Sequence, residues 1–294
     1  MKNKTLKTLC LMFFISIQIC FAQKVQQPKT VKNKTIAEPK TNSSDSQFYI
    51  GFNAGYNLPA GANVNYNYKS ENPSPTLYRQ RVFHLSYGKG TNIGLNMGYN
   101  LNKNFGLELG INYLMGETKD ESSSFDGTYF NSTFTTKMLQ FRPTVFIDAG
   151  YEKINPYAKF GLVVSTGNII EKYESNDLTD KRNYALKFFG GIGTGFTSSA
   201  GVSYKINNKI NLFGELNYIK LTYSPKNRTV IENTKNGIDL LPSLKTIEIE
   251  TEFVESIITT VGAPTANVNE PKKEIAIFKG MSSIGLNIGL QYNF

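Results

Sequence analysis

The strongest regularity in this chain is an alternation of apolar and polar positions with a period of two. From Ile284 to Phe294 the residues Ile284, Leu286, Ile288, Leu290, Tyr292 and Phe294 alternate with Gly285, Asn287, Gly289, Gln291 and Asn293. A period of two places one set on each side of an extended strand, so this stretch predicts a strand with an oily face and a face of glycine and amide. The same design recurs at Gly51-Phe52-Asn53-Ala54-Gly55-Tyr56-Asn57 and at Gly94-Leu95-Asn96-Met97-Gly98-Tyr99-Asn100. The Gly-xxx-Gly spacing also occurs on packed membrane helices. A helical period, however, would turn the intervening Asn residues towards lipid, whereas a strand keeps them on one side.

Seven further strands follow from the pattern. The first spans about Phe48 to Leu58, the second carries Ile93 to Leu101 and the third Phe105 to Tyr113, with Asn102-Lys103-Asn104 as the tight turn between the last two. The fourth runs from Leu139 to Ile147, where Pro143 conflicts with an interior ladder position. The fifth runs from Pro156 to Ser165. A long sixth strand, following a charged loop at Glu171 to Arg182, ends near Ile206, and Asn207-Asn208-Lys209 turns the chain into the seventh, Ile210 to Leu221. The polar stretches up to Lys89, from Glu117 to Ser132 and from Thr222 to Lys279 are expected as longer loops. Within the last, Thr246 to Ile258 alternates but carries Glu248, Glu250, Glu252 and Glu255, which exclude it from lipid and predict a hairpin above the membrane, with disorder around Gly262 to Pro271. Eight strands close evenly, and eleven residues at about 3.3 Å each, tilted by about 40°, rise about 28 Å, close to the thickness of a bilayer core.

Composition sharpens this reading in two places. The mean hydropathy of -0.30 is compatible with a membrane barrel, because a polar lumen and polar loops dilute the apolar half of each strand. Both cysteines, Cys10 and Cys20, lie in residues 1–22, where Lys2, Lys4 and Lys7, the apolar run Leu9 to Phe21 and the site Cys20-Phe21-Ala22 predict a cleaved secretory signal. Lipidation at Cys20 is the alternative, opposed by Ile19 before it. Loss of those three lysines lowers the formal charge from +9 to +6, a mild balance that argues against nucleic acid as a partner. Residues 23–46 are Lys-, Thr-, Asn-, Gln- and Pro-rich and predict a flexible periplasmic tail.

With these strands and turns in place, residues 46 to 294 resemble the outer-membrane β-barrel domain family, which includes small OmpA/OmpX-like barrels and PorT-like proteins. The pattern and the resemblance together predict an all-β fold: an eight-stranded antiparallel up-and-down transmembrane β-barrel over 47–294. Long extracellular loops, a Gram-negative outer-membrane location and both termini in the periplasm go with it. Leu290, Tyr292 and Phe294 resemble the C-terminal signal by which the barrel-assembly machinery recognises such chains. Members differ widely in role, so the resemblance implies location more than activity.

The chemistry on offer is sparse. Glu108, Arg142, Lys159, Lys205 and Glu215 are expected to face inward as a lumen charge network, with Glu108 within reach of Arg142 and Lys159 just beyond. A lumen of this size is filled by side chains, so the expectation is a structural plug and not an ion or proton path. Lys89, Lys137, Lys187, Lys220 and Lys279 fall near extracellular strand ends, where they could meet lipopolysaccharide phosphates or simply be solvated. His84 is the single histidine, and with Ser86 it is the one candidate for a rim enzyme. Asp177 and Asp180 offer at most a weak cation site, and Gly190 to Gly195 lacks the spacing of a dinucleotide fingerprint. No metal or cofactor is expected. The reading favoured is a non-enzymatic barrel acting through its loops in envelope integrity, adhesion or assembly, with outer-membrane lipid and a loop-bound protein as partners. A small transport pore, a PorT-like secretion barrel and a rim enzyme are the alternatives.

Overall fold

The computed structural model describes residues 47–61, 67–74, 77–83, 86–125, 128–177, 179–257 and 267–294. The expected signal, the whole of the expected tail and His84 lie outside the described residues. In chain order the strands are β1 (Phe48–Pro59), β2 (Asn67–Ser74), β3 (Leu77–Phe83), β4 (Gly90–Asn100), β5 (Phe105–Phe125), β6 (Thr128–Asp148), β7 (Ile154–Asn176) and β8 (Lys181–Phe189). They continue with β9 (Ile192–Lys205), β10 (Ile210–Ser224), β11 (Asn227–Lys235), β12 (Ile238–Asp239), β13 (Glu250–Val254), β14 (Lys272–Ile275), β15 (Lys279–Gly280) and β16 (Ser283–Asn293).

Eight of these strands close a ring in the order β1, β4, β5, β6, β7, β9, β10, β16 and back to β1, every ladder antiparallel. The last strand joins the first along Tyr49 to Pro59, so the barrel has no open seam. Its outward positions are the apolar half of the alternation: Phe52, Leu95, Leu109, Phe160, Leu216 and Leu286 are all exposed, as a wall meeting lipid requires. Three short turns, 101–104, 149–153 and 206–209, lie at one end with Phe48 and Asn293. The long connections leave from the other.

At that second end the structure departs from the pattern. The Glu117 to Ser132 stretch, expected as a loop, is a hairpin in which β5 and β6 stay paired from Phe105 and Ile147 out to Phe125 and Thr128. The charged stretch from Glu171 is likewise strand, with β7 running to Asn176 and pairing with β8. Backbone pairing needs no apolar face. The ladder therefore continues where the apolar alternation stops, and this is why polarity was a poor guide there.

The expected sixth strand is two strands. At Gly190, whose φ of +76° lies in the left-handed region, the chain breaks direction; β9 completes the barrel while β8 leaves it to pair with β7 and β11. The expected hairpin over Thr246 to Ile258 is also revised. Thr246–Ile249 is one helical turn, and the following β13 pairs antiparallel with β11 and parallel with β14, so it extends the sheet without forming a hairpin of its own. Of the stretch expected to be disordered, Gly262–Ala266 lies outside the described residues, and Asn267 to Glu270 form a turn closed by the Asn267 and Glu270 side chains. Pro143 sits on the lipid face, where the β6–β7 ladder skips Arg142 and Pro143 and then resumes in the same register.

Candidate functional site: the filled lumen

Reading the inward positions along each strand from the short-turn end gives the same sequence of layers. The first layer is aromatic: Tyr49, Phe146 and Phe213 are buried, with Tyr157 beside them, and the Tyr49 and Phe146 rings meet edge to face at 5.9 Å. Each ring lies on a glycine of a neighbouring strand. A Cβ at Gly98 would collide with Tyr49, one at Gly106 with Phe146, one at Gly201 with Tyr157 and one at Gly289 with Phe213. The repeated glycines are therefore the floor on which the lumen's largest side chains rest.

The second layer holds the charges. Lys159 Nζ donates to Glu108 Oε1 at 2.8 Å and Oε2 at 3.0 Å and stands 3.2 Å from Glu215 Oε2, with all three residues buried. Tyr49 O–H donates to Glu108 Oε2 at 2.6 Å, Tyr157 O–H to Glu215 Oε2 at 3.1 Å and Asn287 Nδ2 to Glu215 Oε1 at 3.1 Å. Lys159 is thus the hub, bridging two carboxylates that the ring brings to it from β5 and β10. Arg142 is buried in the same layer but donates to Gln140 Oε1 at 2.5 Å, and no ion pair joins it to either carboxylate. Lys205 falls outside the cluster. It is exposed at the last position of β9, so the structure removes it from the network expected from sequence. The reason is depth: β9 ends there, at the short turns, below the aromatic layer. Tyr49, Tyr157, Asn287 and Gln140 belong to the cluster and were not singled out, although inward parity and closeness to the short-turn end mark the two tyrosines in the sequence.

Above the charges stands a layer of amides that includes Asn53, Asn96, Asn112, Gln140 and Asn217, all buried. Above that the interior turns apolar. Leu114, Met138, Val163, Ile219 and Leu221 point inward at 0–1% exposure and pack with Tyr87, Met281, Phe134, Phe188 and Phe253 from the longer connections into one core. Lys279 lies in this core and not at the rim where the sequence placed it. It pairs with Glu171 at 2.6 Å and sits 4.2 Å above the Phe188 ring, while Tyr87 and Tyr173 O–H groups also donate to Glu171. The displacement has a topological cause. β15 pairs with β10 at Thr222 and Tyr223, which turns Lys279 across the barrel mouth.

Among the other rim lysines, Lys137 and Lys220 are exposed on the outward parity of β6 and β10, Lys89 is half-buried, and Lys187 leans over the Phe189 ring at 5.6 Å. Ser86 is buried and donates to Ser282 O at 2.6 Å while accepting from Gly88 N–H, so it serves the loop's backbone. Asp177 accepts from the Thr179 and Asp180 N–H groups, which hold its carboxyl below the usual carboxylate range. Asp180 is held low first by Lys235 Nζ and then by Asn236. Among the described residues no group of three or more His, Cys, Asp or Glu converges as a metal site. Leu290, Tyr292 and Phe294 all face outward, and the Phe294 ring packs on Phe48 at 5.4 Å and on Tyr292 at 5.2 Å.

A closed ring of eight strands with an apolar exterior and a lumen occupied by side chains at every level defines a small transmembrane β-barrel. Residues 35–238 match the family described as outer membrane protein beta-barrel domain. The chain belongs to that family and is a protein of the Gram-negative outer membrane. No curated protein sequence matches it. Among solved structures it is similar to Neisserial surface protein A, at 13% identity over 85% of this chain and 98% of that one, with a TM-score of 0.33. OprG from Pseudomonas aeruginosa matches at 12% identity over 84% and 95%, with a TM-score of 0.38. Ail, the attachment invasion locus protein of Yersinia pestis, matches at 10% identity over 84% and 96%, with a TM-score of 0.30. At those scores the likenesses carry no further argument, and the fold rests on the hydrogen-bonded ring itself.

Proposed function

We propose that this protein is a non-conducting, non-enzymatic outer-membrane barrel that works through the structure above its mouth, in envelope integrity, adhesion or assembly. The short-turn end and both termini then face the periplasm, and the β5–β6 hairpin and the β7, β8, β11, β13 and β14 sheet stand on the cell surface. The observation that carries this reading is the unbroken filling of the lumen: aromatic, charged, amide and apolar layers follow one another with none missing. A pore needs a continuous aqueous path, and an apolar core at the mouth opposes one both sterically and by excluding ions. What remains for interaction is the surface outside the bilayer, where a sheet of this extent presents far more area than a loop serving merely to reverse the chain.

The test is single-channel recording of the refolded protein in a planar bilayer, with heat-shifted gel mobility as proof that the barrel has closed. The expected result is a closed barrel without conductance steps. Stable steps that change when Arg142 is replaced by Gln would overturn the reading in favour of a transport path along the lumen charges.

A further inference from the structure

The lumen between the charge layer and the apolar core contains a cavity in which the centre of a water molecule can sweep about 20 Å³, lined by Asn53, Asn112, Arg142, Lys159, Glu215 and Asn217 among others. Five buried polar atoms on its walls have no hydrogen-bond partner within the protein: Asn53 Oδ1, Asn112 Oδ1, Asn217 Oδ1, Asn217 Nδ2 and Arg142 Nε. Their residues are 2–7% exposed, so bulk solvent does not serve them. Groups buried this deeply in folded proteins are almost always bonded, to protein or to ordered water. Their occurrence together, around one cavity, points to a ligand.

The chemical class of that ligand follows from the mixture of unmet groups. Three are acceptors and two are donors. A cation would satisfy oxygens alone and an anion would satisfy donors alone, and either would add charge to a layer in which Glu108 and Glu215 already balance Lys159 and Arg142. A neutral molecule that both donates and accepts serves both kinds of group without adding charge. The space limits it to water, since the cavity exceeds the roughly 10–15 Å³ that one water needs but leaves no room for a solute. We propose that the lumen holds a site for trapped water, bound by Asn53, Asn112, Asn217 and Arg142. This water serves Arg142 Nε beside the charge cluster, where the direct Glu108–Arg142 contact that the sequence suggested is not made. Asn57 Nδ2 and Asn92 Oδ1, also unmet and buried, continue the amide layer one step nearer the mouth. The apolar core ends the chain there, and the aromatic layer closes it below. The water is therefore internal and long-lived, a property independent of whether the surface sheet carries the biological role.

Water deuteron and oxygen-17 magnetic relaxation dispersion on the refolded full-length protein counts such waters directly. The expected result is at least one water with a residence time far beyond that of surface hydration, and a loss of about one from that count in Asn217→Leu, which removes two of the unmet atoms and fills their space. Asn112→Leu serves as the second variant, and gel mobility establishes that each has folded. A folded wild-type barrel with no long-lived water would overturn the proposal, as would a count unchanged in both folded variants. An anomalous bromide or rubidium peak beside Arg142 in soaked crystals would also overturn it, in favour of an ion site. Fast exchange of all lumen water would mean an open path instead.

Discussion

Gly98 meets the ring of Tyr49 across the β1–β4 ladder at a distance no Cβ tolerates, whereas a Cβ at Gly214 would find its nearest neighbour, Asn287 O, at 4.0 Å. These two glycines look alike in the sequence and differ only in the face they occupy. Gly98→Ala is expected to cost about 1–3 kcal/mol through overpacking against Tyr49. Gly214→Ala should stay within about 0.5 kcal/mol, as lipid-facing positions with free space do. Urea unfolding in lipid vesicles measures both, and equal effects would count against the glycine floor. The charge layer makes a similar demand on single residues. Lys159→Met leaves Glu108 and Glu215 facing each other without their common cation and is expected to destabilise by about 3–5 kcal/mol. In double-mutant cycles the Glu108–Lys159 coupling should exceed the Glu108–Arg142 coupling, because only the first pair is in contact. The reverse order would sink the assignment of Lys159 as the hub. Inward parity made Glu108, Arg142, Lys159 and Glu215 legible as lumen residues. Which cation takes the carboxylates was not legible, because strand tilt and stagger set the heights at which neighbours meet.

The eight barrel elements were readable because each must turn an apolar face to lipid, and the alternation this enforces is clearest along β1, β4 and β16. Above the bilayer that constraint lapses. There the elements are stabilised by pairing and by local contacts such as the turn from β7 to β8. In it Asp177 accepts backbone N–H groups, and Asp180 binds Lys235 at 2.9 Å and the Asn236 amide at 3.0 Å. Both carboxyls are held below their ordinary value, so their contribution is fully present above the unfolded-state pKa of about 3.9 and is lost as pH falls through the lower folded value. Glu274 follows the same sign: burial pushes its carboxyl up, but Lys272 and Arg228 outweigh that and hold it low. Amide exchange should therefore show the β7–β8 tip, monitored at the Lys181 N–H bonded to Asn236 Oδ1, protected near pH 6 and fraying first below pH about 4 while barrel ladders stay closed. A tip whose exchange ignores pH over that range would remove the carboxylates from its stabilisation.

The barrel is polarised along its axis: short turns, the start of β1, the end of β16 and the aromatic floor lie at one end, the apolar core and broad sheet at the other. The proposed orientation has a direct consequence for intact cells. An epitope inserted after Ser243, in the exposed turn that follows β12, should be labelled from outside, whereas one appended after Phe294 should be labelled only once the outer membrane is permeabilised. Labelling in the opposite order would invert the topology and move the proposed working surface into the periplasm. The asymmetry also explains why the lumen can be wet in its middle and dry at its mouth. The walls supply polar inward residues only as far as the long connections do not reach, and beyond that point Tyr87, Phe253 and Met281 fold over the opening.

The sequence by itself determined that eight strands alternate between lipid and lumen, where the short turns lie, and that Glu108, Arg142, Lys159 and Glu215 face inward. Each of those follows from a local rule of period and turn chemistry that lipid and a closed ring leave no freedom to break. Only the tertiary structure decided the rest. Gly190 splits one apparent strand between barrel and surface sheet, Lys279 turns from the rim into a buried pair with Glu171, Lys205 drops below the network, and Lys159 takes both carboxylates while Arg142 takes neither. These outcomes depend on register, tilt and the path of connections, quantities that relate residues 50 to 110 positions apart in the chain and leave no trace in its local alternation.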